Sequence, residues 1–394
     1  MAGVLEGIRV LDFGRYIAGP FCATLLGDLG AEVIRIERPQ GGEDRDLNPI
    51  GSDESGGMVV ITGRNKSGMT LKLGSEEIKP IVERLVKSAD VVIANMPASI
   101  LKKIGLDYDS LKSIKENIIL TTPSAYGENG PYSKKVGFDG VAQAMSGIMY
   151  LTGEPGTPVK TSSPFVDYGT AFLGAFATLA AIYELKNSGK GQHVETSLLS
   201  TALTIGNSPI TEQDQLNINR EPIGSRTQYA GPADVFQSKD GWVMVQVIGP
   251  YMWKRWCELV GKPELLQDER FKDDDSRGIN GAYLSEVMQA WCGQFTNKEL
   301  VTKMEASHLP CAEVLTPQRV LEDEHVVATE QFVDVDFPGL TKPVKVAAPP
   351  FKLSETPTKK MERAPCLGEH TDKLLAELGF SDEEIGQFRD KKVI

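Results

Sequence analysis

The sequence predicts an α/β protein whose larger part is a parallel sheet covered by helices on both faces. Three observations carry this. Residues 1–125 alternate strand and helix patterns, which implies parallel strands joined by helical crossovers. Around residues 205–230 the chain turns polar and loses periodicity. Beyond it lie short paired strands and amphipathic helices of different character, so a second region is set into the middle of the chain.

The elements follow in order. Ile8 to Phe13 reads as a buried strand, a Gly/Pro loop follows, and a helix covers Phe21 to Leu29. Glu32 to Glu37 is a second strand and Met69 to Leu73 a third. A helix runs from about Ser75 to Ala89, with Pro80 blurring its start. Val91 to Asn95 and Ile118 to Thr122 complete the strand set. Residues 126–160 are rich in Gly, Pro and polar groups, the composition of loops at a site or an interface. A long apolar helix then ends near Asn187-Ser188-Gly189, and His193 to Leu199 passes from strand into helix. In the second region Ala233 to Gln237 and Trp242 to Val247 form a hairpin over Ser238-Lys239-Asp240-Gly241. Helices cover Pro250 to Val260, 281–295 and 297–306, and Cys311 to Leu315 is a strand. A hairpin spans 331–353 and a helix covers Thr371 to Phe388. These patterns separate an α/β part over 1–205, a linker over 206–230, a compositionally distinct middle over 231–325 and a C-terminal tail over 326–394.

Composition narrows the function. Hydrophobic residues make up 41% and charged residues 24%, ordinary for a globular protein. The net charge of −12 argues against a nucleic-acid surface. No basic n-region and apolar h-region open the chain, and no apolar run suggests a bilayer span, so no membrane partner is expected. The five cysteines (22, 257, 292, 311 and 366) are dispersed without a CxxC pair, which points to a reducing cytoplasm. The four histidines lack metal-ligand spacing, and no metal is expected. A dinucleotide fold is the nearest false match: Gly14-Arg15-Tyr16-Ile17-Ala18-Gly19-Pro20 follows the first strand and Glu37 ends the second. The G-x-G-x-x-G spacing is absent and Pro20 interrupts it.

One carboxylate stands out. In Ser162-Ser163-Pro164-Phe165-Val166-Asp167-Tyr168-Gly169-Thr170, Asp167 sits where a loop meets the long apolar helix. One reading is an N-cap, whose oxygen accepts a first-turn N–H. The other is a reachable nucleophile held at a helix N-terminus.

A set of ordered motifs decides more. It comprises Leu5 to Phe13 with Ala18-Gly19-Pro20, Leu26 to Pro39, Arg64-Asn65-Lys66, Ile104 to Tyr108, Ser188 to Gln192 and Ala364 to Thr371. In this order they resemble the class III (CaiB/BaiF-type) CoA-transferases, the family of formyl-CoA transferase and the carnitine CoA-transferases. The resemblance covers essentially the whole chain. It implies a Rossmann-like large domain built from both ends of the chain, residues 1–205 with the return over 326–394, a smaller α+β domain over 231–325 and an interlocked homodimer. It further implies transfer of CoA from an acyl-CoA donor, with succinyl-CoA a common one, to a carboxylic acid. Asp167 takes the place of the family nucleophile, which passes through a mixed anhydride and an enzyme–CoA thioester. Backbone N–H groups near Asp167 and in the small domain are expected to hold the oxyanions. CoA is a substrate, and no permanently bound cofactor is implied. Carried over residue by residue, the CoA contacts are Tyr16, Ile17, Ala18, Arg38, Leu71, Asn95, Met96 and Lys103, with Lys135 one place off. Asp139 and Phe138 are assigned to loop support, Asp139 either holding the loop near Asp167 or capping a turn.

Two departures point away from formate and oxalate. Ile17 stands where some transferases carry Gln, and the small domain lacks a Gly run; Ile248 to Trp253 is expected to form a different pocket wall. The rival on the same fold is the α-methylacyl-CoA racemases, which use a His and an Asp as acid and base. Their Gly-His-Asp run reads Gly137-Phe138-Asp139 here, and Phe138 cannot carry a proton. A non-catalytic CoA-binding homologue is the remaining alternative.

Overall fold

A computed structural model describes residues 3–51 and 56–394. The chain divides into two compact units, one formed by Met1–Ser146, Thr161–Asn207 and Thr329–Ile394, the other by Gly147–Lys160 and Ser208–Ala328.

The first unit is built on six strands: β1 (Arg9–Asp12), β2 (Glu32–Glu37), β3 (Lys66–Thr70), β4 (Val91–Ile93), β5 (Ile119–Ser124) and β6 (His193–Ser197). All pair in parallel in the order β3-β2-β1-β4-β5-β6. This is the doubly wound order, with its switch point between β1 and β4. The helices of this unit include α1 (Ala18–Asp28), α2 (Gly57–Thr62), α3 (Lys79–Ser88), α4 (Ala98–Ile104), α5 (Tyr108–Ile114) and α6 (Asp139–Met145). In the second unit α7 is Ile148–Leu151; the first continues with α8 (Phe165–Ser188) and α9 (Leu198–Ile205).

Alternation within β1 explains why both faces need cover. Leu11 joins Ile34, Met69, Ile81, Leu85 and Leu120 on one face, where Leu374, Leu375 and Ile385 of the C-terminal segment complete the core. Val10 joins Val33, Ile93 and Ile119 on the other, against Phe21 and Leu26 of α1 and Ala171, Ala175 and Ile182 of α8. Successive side chains of a strand point to opposite faces, so a run of β-branched residues buried on both is what a covered parallel sheet requires.

Several elements differ from the sequence reading. The third strand starts at Lys66 rather than at Met69, because Lys66 is buried in an ion pair and an isolated charge does not look like a strand start. The C-terminal helix is two helices, Thr371–Glu377 and Asp382–Asp390, separated by Gly379 at φ +83°. The polar stretch over 206–230 is not all linker: Asn207–Leu216 forms the helix α10. By length and composition α8 is apolar enough to cross a bilayer, contrary to the sequence reading; it packs on α1, β5 and β6 as a core helix.

The second unit centres on an antiparallel sheet of β7 (Ala233–Gln237), β8 (Trp242–Gln246) and β9 (Cys311–Glu313), in that order. Phe236, Trp256, Phe271, Leu284 and Met288 fill its core. The hairpin expected over 331–353 is β10 (Phe332–Val335) paired with β11 (Val344–Ala347), and it belongs to the first unit.

A candidate active site at the switch point

The carboxyl ends of β1, β4 and β5 open into a cavity of about 340 Å³. It lies where the doubly wound order reverses, the place such sheets bind ligands. Arg15 to Ala18 line it from the segment after β1, Asn95 to Ala98 from the segment after β4, and Thr122 to Glu128 from β5 and beyond. Ser133, Lys135 to Phe138, Asp167 and Leu198 complete the wall.

The loop after β1 is held by buried polar groups. A Cβ on Gly14 would stand 2.7 Å from Pro20 Cδ and 2.8 Å from Asp12 Oδ1, so the turn admits only glycine. Gly14 N–H donates to Asp12 Oδ1 at 2.8 Å. Asn95 grips the next residue twice: its Oδ1 accepts the Arg15 N–H, and its Nδ2 donates to the Arg15 carbonyl, both at 2.8 Å. Tyr16 is left-handed at φ +62°, a costly conformation for a bulky residue, and its N–H donates to Asp44 Oδ2 at 3.3 Å. Behind Asp44 lies a buried charge network. Arg35 donates to Asp44 at 2.6 Å, Arg45 makes a bidentate pair with Glu37 at 2.9 and 2.6 Å, and Lys66 reaches Asp12 at 2.7 Å. Burial pushes Lys66 down to about 8, partly offset by Asp12.

The opposite wall carries Phe138 and Asp167. The Phe138 ring stands edge-to-face with Tyr16, centroids 5.4 Å apart, and is 60% exposed. Asp139, the first residue of α6, is buried. Its Oδ2 accepts the N–H groups of Val166 at 2.8 Å and Asp167 at 3.2 Å, and its Oδ1 accepts from Gln143 Nε2. Phe165 N–H donates to the Ser163 carbonyl at 2.9 Å. The first three N–H groups of α8 therefore find partners without help from the Asp167 side chain. Asp167 is not the N-cap: it is the third residue of the helix, and Pro164 precedes the first.

The Asp167 carboxyl is thus released from capping and lines the cavity. It accepts no hydrogen bond and joins no ion pair among the described residues. Burial, reinforced by the negative charge of Asp139, pushes it from 3.8 to about 7. Of the amides near Asp167, those of Val166 and Asp167 itself are engaged by Asp139.

The other expected contacts divide. Tyr16, Ile17, Ala18, Asn95, Met96 and Lys135 share the cavity wall with Asp167 and Phe138; Lys135 Nζ lies 3.7 Å from the Tyr132 ring centroid. Arg38 is off the wall, donating to the Gly41 carbonyl at 2.5 Å and pairing with Glu43 at 2.7 Å. Lys103 is exposed in the last turn of α4. The Leu71 side chain is wholly buried in the core. Sequence reasoning missed Arg15, Ser124, Tyr126, Glu128 and Leu198 as wall residues. The Gly/Pro-dense stretch beginning at Tyr126 signalled a site without saying which side chains would face it.

Glu128, His193 and Glu195 come together, with ligand atoms within 4.8 Å of one another. Glu128 lies 3.4 Å from Nε2 of the imidazole and Glu195 3.9 Å from Nδ1, so the two carboxylates approach different ring nitrogens. Thr122 Oγ1 bridges Nε2 and Glu128 at 2.8 and 2.9 Å. The arrangement is a hydrogen-bonded chain rather than a cage converging on one ion.

The profile of CoA-transferase family III matches residues 5–371. The chain belongs to this family. Among its relatives are the beta subunit of succinyl-CoA–L-malate CoA-transferase from Chloroflexus aurantiacus, 33% identical over 99% of this chain and 98% of the relative. A succinyl-CoA:mesaconate CoA-transferase from Haloarcula hispanica is 31% identical over 96% of this chain and 97% of its own. A CAIB/BAIF family protein from Brucella suis superposes with a TM-score of 0.84 at 29% identity, covering 96% of this chain and all of that one. As a CoA-transferase of family III, the protein moves CoA from an acyl-CoA donor to a carboxylic acid.

Proposed function

We propose that Asp167 is the nucleophile of this transfer. The observation that carries the reading is a desolvated carboxylate, free of hydrogen bonds, on the wall of the switch-point cavity. Its oxygen attacks the donor thioester carbonyl and expels CoA thiolate, leaving a mixed anhydride. The thiolate attacks the aspartyl carbonyl, which frees the donor carboxylate and leaves an aspartyl–CoA thioester. The acceptor carboxylate attacks that thioester and expels CoA thiolate again. Attack of the thiolate on the acceptor carbonyl of the new anhydride releases acceptor-CoA and restores Asp167. One negative charge is carried through every step and the thioester energy is kept, so no ATP is required. A carboxylate that binds protons up to about pH 7 is a better nucleophile than an ordinary aspartate, provided the pH is high enough to ionise it.

Tyr16, Ile17, Ala18, Asn95, Met96 and Lys135 would hold the thioester and pantetheine end of CoA. The cavity is at the small end for a ligand site, which leaves the nucleotide outside it near Arg38 and Lys103. The donor is succinyl-CoA, and the acceptor a dicarboxylate or a medium-sized hydroxy or unsaturated acid. Relatives named for L-malate, D-citramalate and mesaconate support this range, as does Ile17 in the wall. Phe138 on that wall supports transfer over racemisation, because a phenyl ring has no proton to move.

The working form is a homodimer. Phe172, Phe176 and Tyr183 leave an apolar stripe along α8, with Phe176 73% exposed, and a second copy would cover it. The five free thiols favour a cytoplasmic location.

The test is intact mass and peptide mapping after brief incubation with a panel of acyl-CoAs. A CoA-sized adduct on the Asp167 peptide is expected. Solvent deuterium appearing at C2 of a branched acyl-CoA, with no adduct from any donor, would overturn the assignment.

A further inference from the structure

Asp139 is buried, and its carboxylate is met by three donors: two backbone amides of α8 and the Gln143 amide. An acceptor surrounded only by donors is arranged as an anion. Among the described residues no cation pairs with it. Its charge therefore faces the Asp167 carboxylate across the first turn of α8 without a neutralising partner. Other charged or titratable groups reach the same space: Tyr168 on α8, Arg15 and Tyr16 from the loop after β1, and Tyr126, Glu128 and Lys135 from the loop after β5. Arg15 is held by Glu43, and Lys135 lies over Tyr132.

From this geometry we infer that Asp139 is a positioning residue that drives Asp167 into its acylated forms. It caps α8 in place of Asp167, and its fixed charge makes the free Asp167 carboxylate the least favourable occupant of the site. The inference rests on Asp167 being the nucleophile. In the mixed anhydride and in the aspartyl–CoA thioester the Asp167 carbonyl is neutral. Repulsion present in the resting enzyme is then absent, and the covalent states gain relative to it. Burial is the larger cause of the upward push on Asp167, and the part that Asp139 adds to it is the same effect seen through a proton instead of an acyl group.

The experiment compares Asp139→Asn with wild type. Asparagine can still accept from α8 through its carbonyl but carries no charge. The rising limb of the kcat/KM pH profile is expected to move to lower pH by roughly half a unit or more. The fraction of enzyme trapped as CoA adduct at saturating donor is expected to fall. Asp139→Glu, which restores the charge, should return both toward wild type. An unmoved limb with an unmoved adduct fraction would overturn the inference.

A second arm works without turnover. In Asp167→Cys, alkylation of residue 167 by iodoacetamide, followed against pH by peptide mapping, reads the thiol directly. Its midpoint should drop when Asp139→Asn is added, and an unchanged midpoint counts against the inference. Gln143→Leu keeps the charge and removes one hydrogen bond from it. In the Asp167→Cys background it should hold the midpoint level or raise it; a fall would contradict the inference even if Asp139→Asn does not fold. If wild type forms no adduct and Asp167→Ala turns over normally, the nucleophile assignment has failed, while the thiol midpoints still report on Asp139.

Discussion

The two walls of the cavity are built on opposite plans. The loop after β1 is held in several places at once. Asp12 takes one amide, Asn95 clamps a peptide from both sides, and Asp44 takes a third amide from within a network of buried ion pairs. In the wall carrying Asp167 one side chain, Asp139, satisfies two amides of the first turn of α8, with Gln143 tying it to Thr161. A redundant wall is stiff and suits recognition of an unchanging group such as the pantetheine arm. A wall organised by one carboxylate couples placement of the reacting group to its charge. Asp139 takes the first-turn amides of α8, and the Asp167 carboxyl on the third helical position is left facing the cavity.

The largest effect expected is on chemistry. Asp167→Ala should lower transfer at least ~10³-fold, since the covalent route is removed and only binding remains. CoA binding, measured by calorimetry, should stay close to wild type, because the loop after β1 is untouched. Comparable loss of binding would mean that the two walls are not independent.

Next comes a break in the redundant wall. Asp44→Ala leaves the buried Arg35 guanidinium short of a partner and frees Tyr16 from its left-handed backbone. The expected cost is about 3 kcal/mol of stability in denaturant titration, with KM for acyl-CoA raised more than kcat is lowered. An equal fall in kcat alone would place Tyr16 in the chemistry instead.

The pH dependence sharpens the other side. The Asp167 acid is pushed up to about 7, so kcat/KM should rise with pH through that region as the nucleophile ionises. Stability runs the opposite way. Between 3.8 and about 7 the folded chain holds the Asp167 proton more tightly than the unfolded chain does. The contribution is present in full below that window and is lost as pH rises through it. Asp167→Asn should therefore be more stable than wild type at pH 8, by on the order of 2 kcal/mol, and show no such gain at pH 3. Thermal unfolding at the two pH values checks this.

The smallest effect is expected at Phe138. Phe138→Leu removes an exposed edge-to-face pair worth about 1 kcal/mol, so KM should change by less than ~10-fold and stability hardly at all.

Much of the fold was legible because its signals are local. The buried runs Ile8 to Phe13 and Val91 to Asn95, separated by helical patterns, already required a parallel sheet covered on both faces. The third strand was harder, since its first residue is a lysine that only a distant aspartate makes tolerable in the core. Within the site, Asp167 was found from its place before an apolar helix, and Tyr16, Ile17, Ala18, Asn95 and Met96 from motif resemblance. Nothing local shows which face of the sheet a residue after β3 will meet, and the Leu71 side chain turned into the core. Glu128 and Leu198 escaped because a wall residue far along the chain has no periodicity to betray it.

What the sequence alone determined is the order of strands and helices and the family to which the motifs belong, and it singled out Asp167 as the candidate carboxylate. These follow from period, composition and the conformational limits of Gly and Pro, which act over a few residues. Only the tertiary structure decided that Asp139, 28 positions before Asp167, is the residue that caps α8. Capping is satisfied by any oxygen that arrives at the helix end. Which one arrives is settled by how α6 and α8 pack, and with it whether Asp167 is a structural acceptor or a half-buried acid pushed up to about 7.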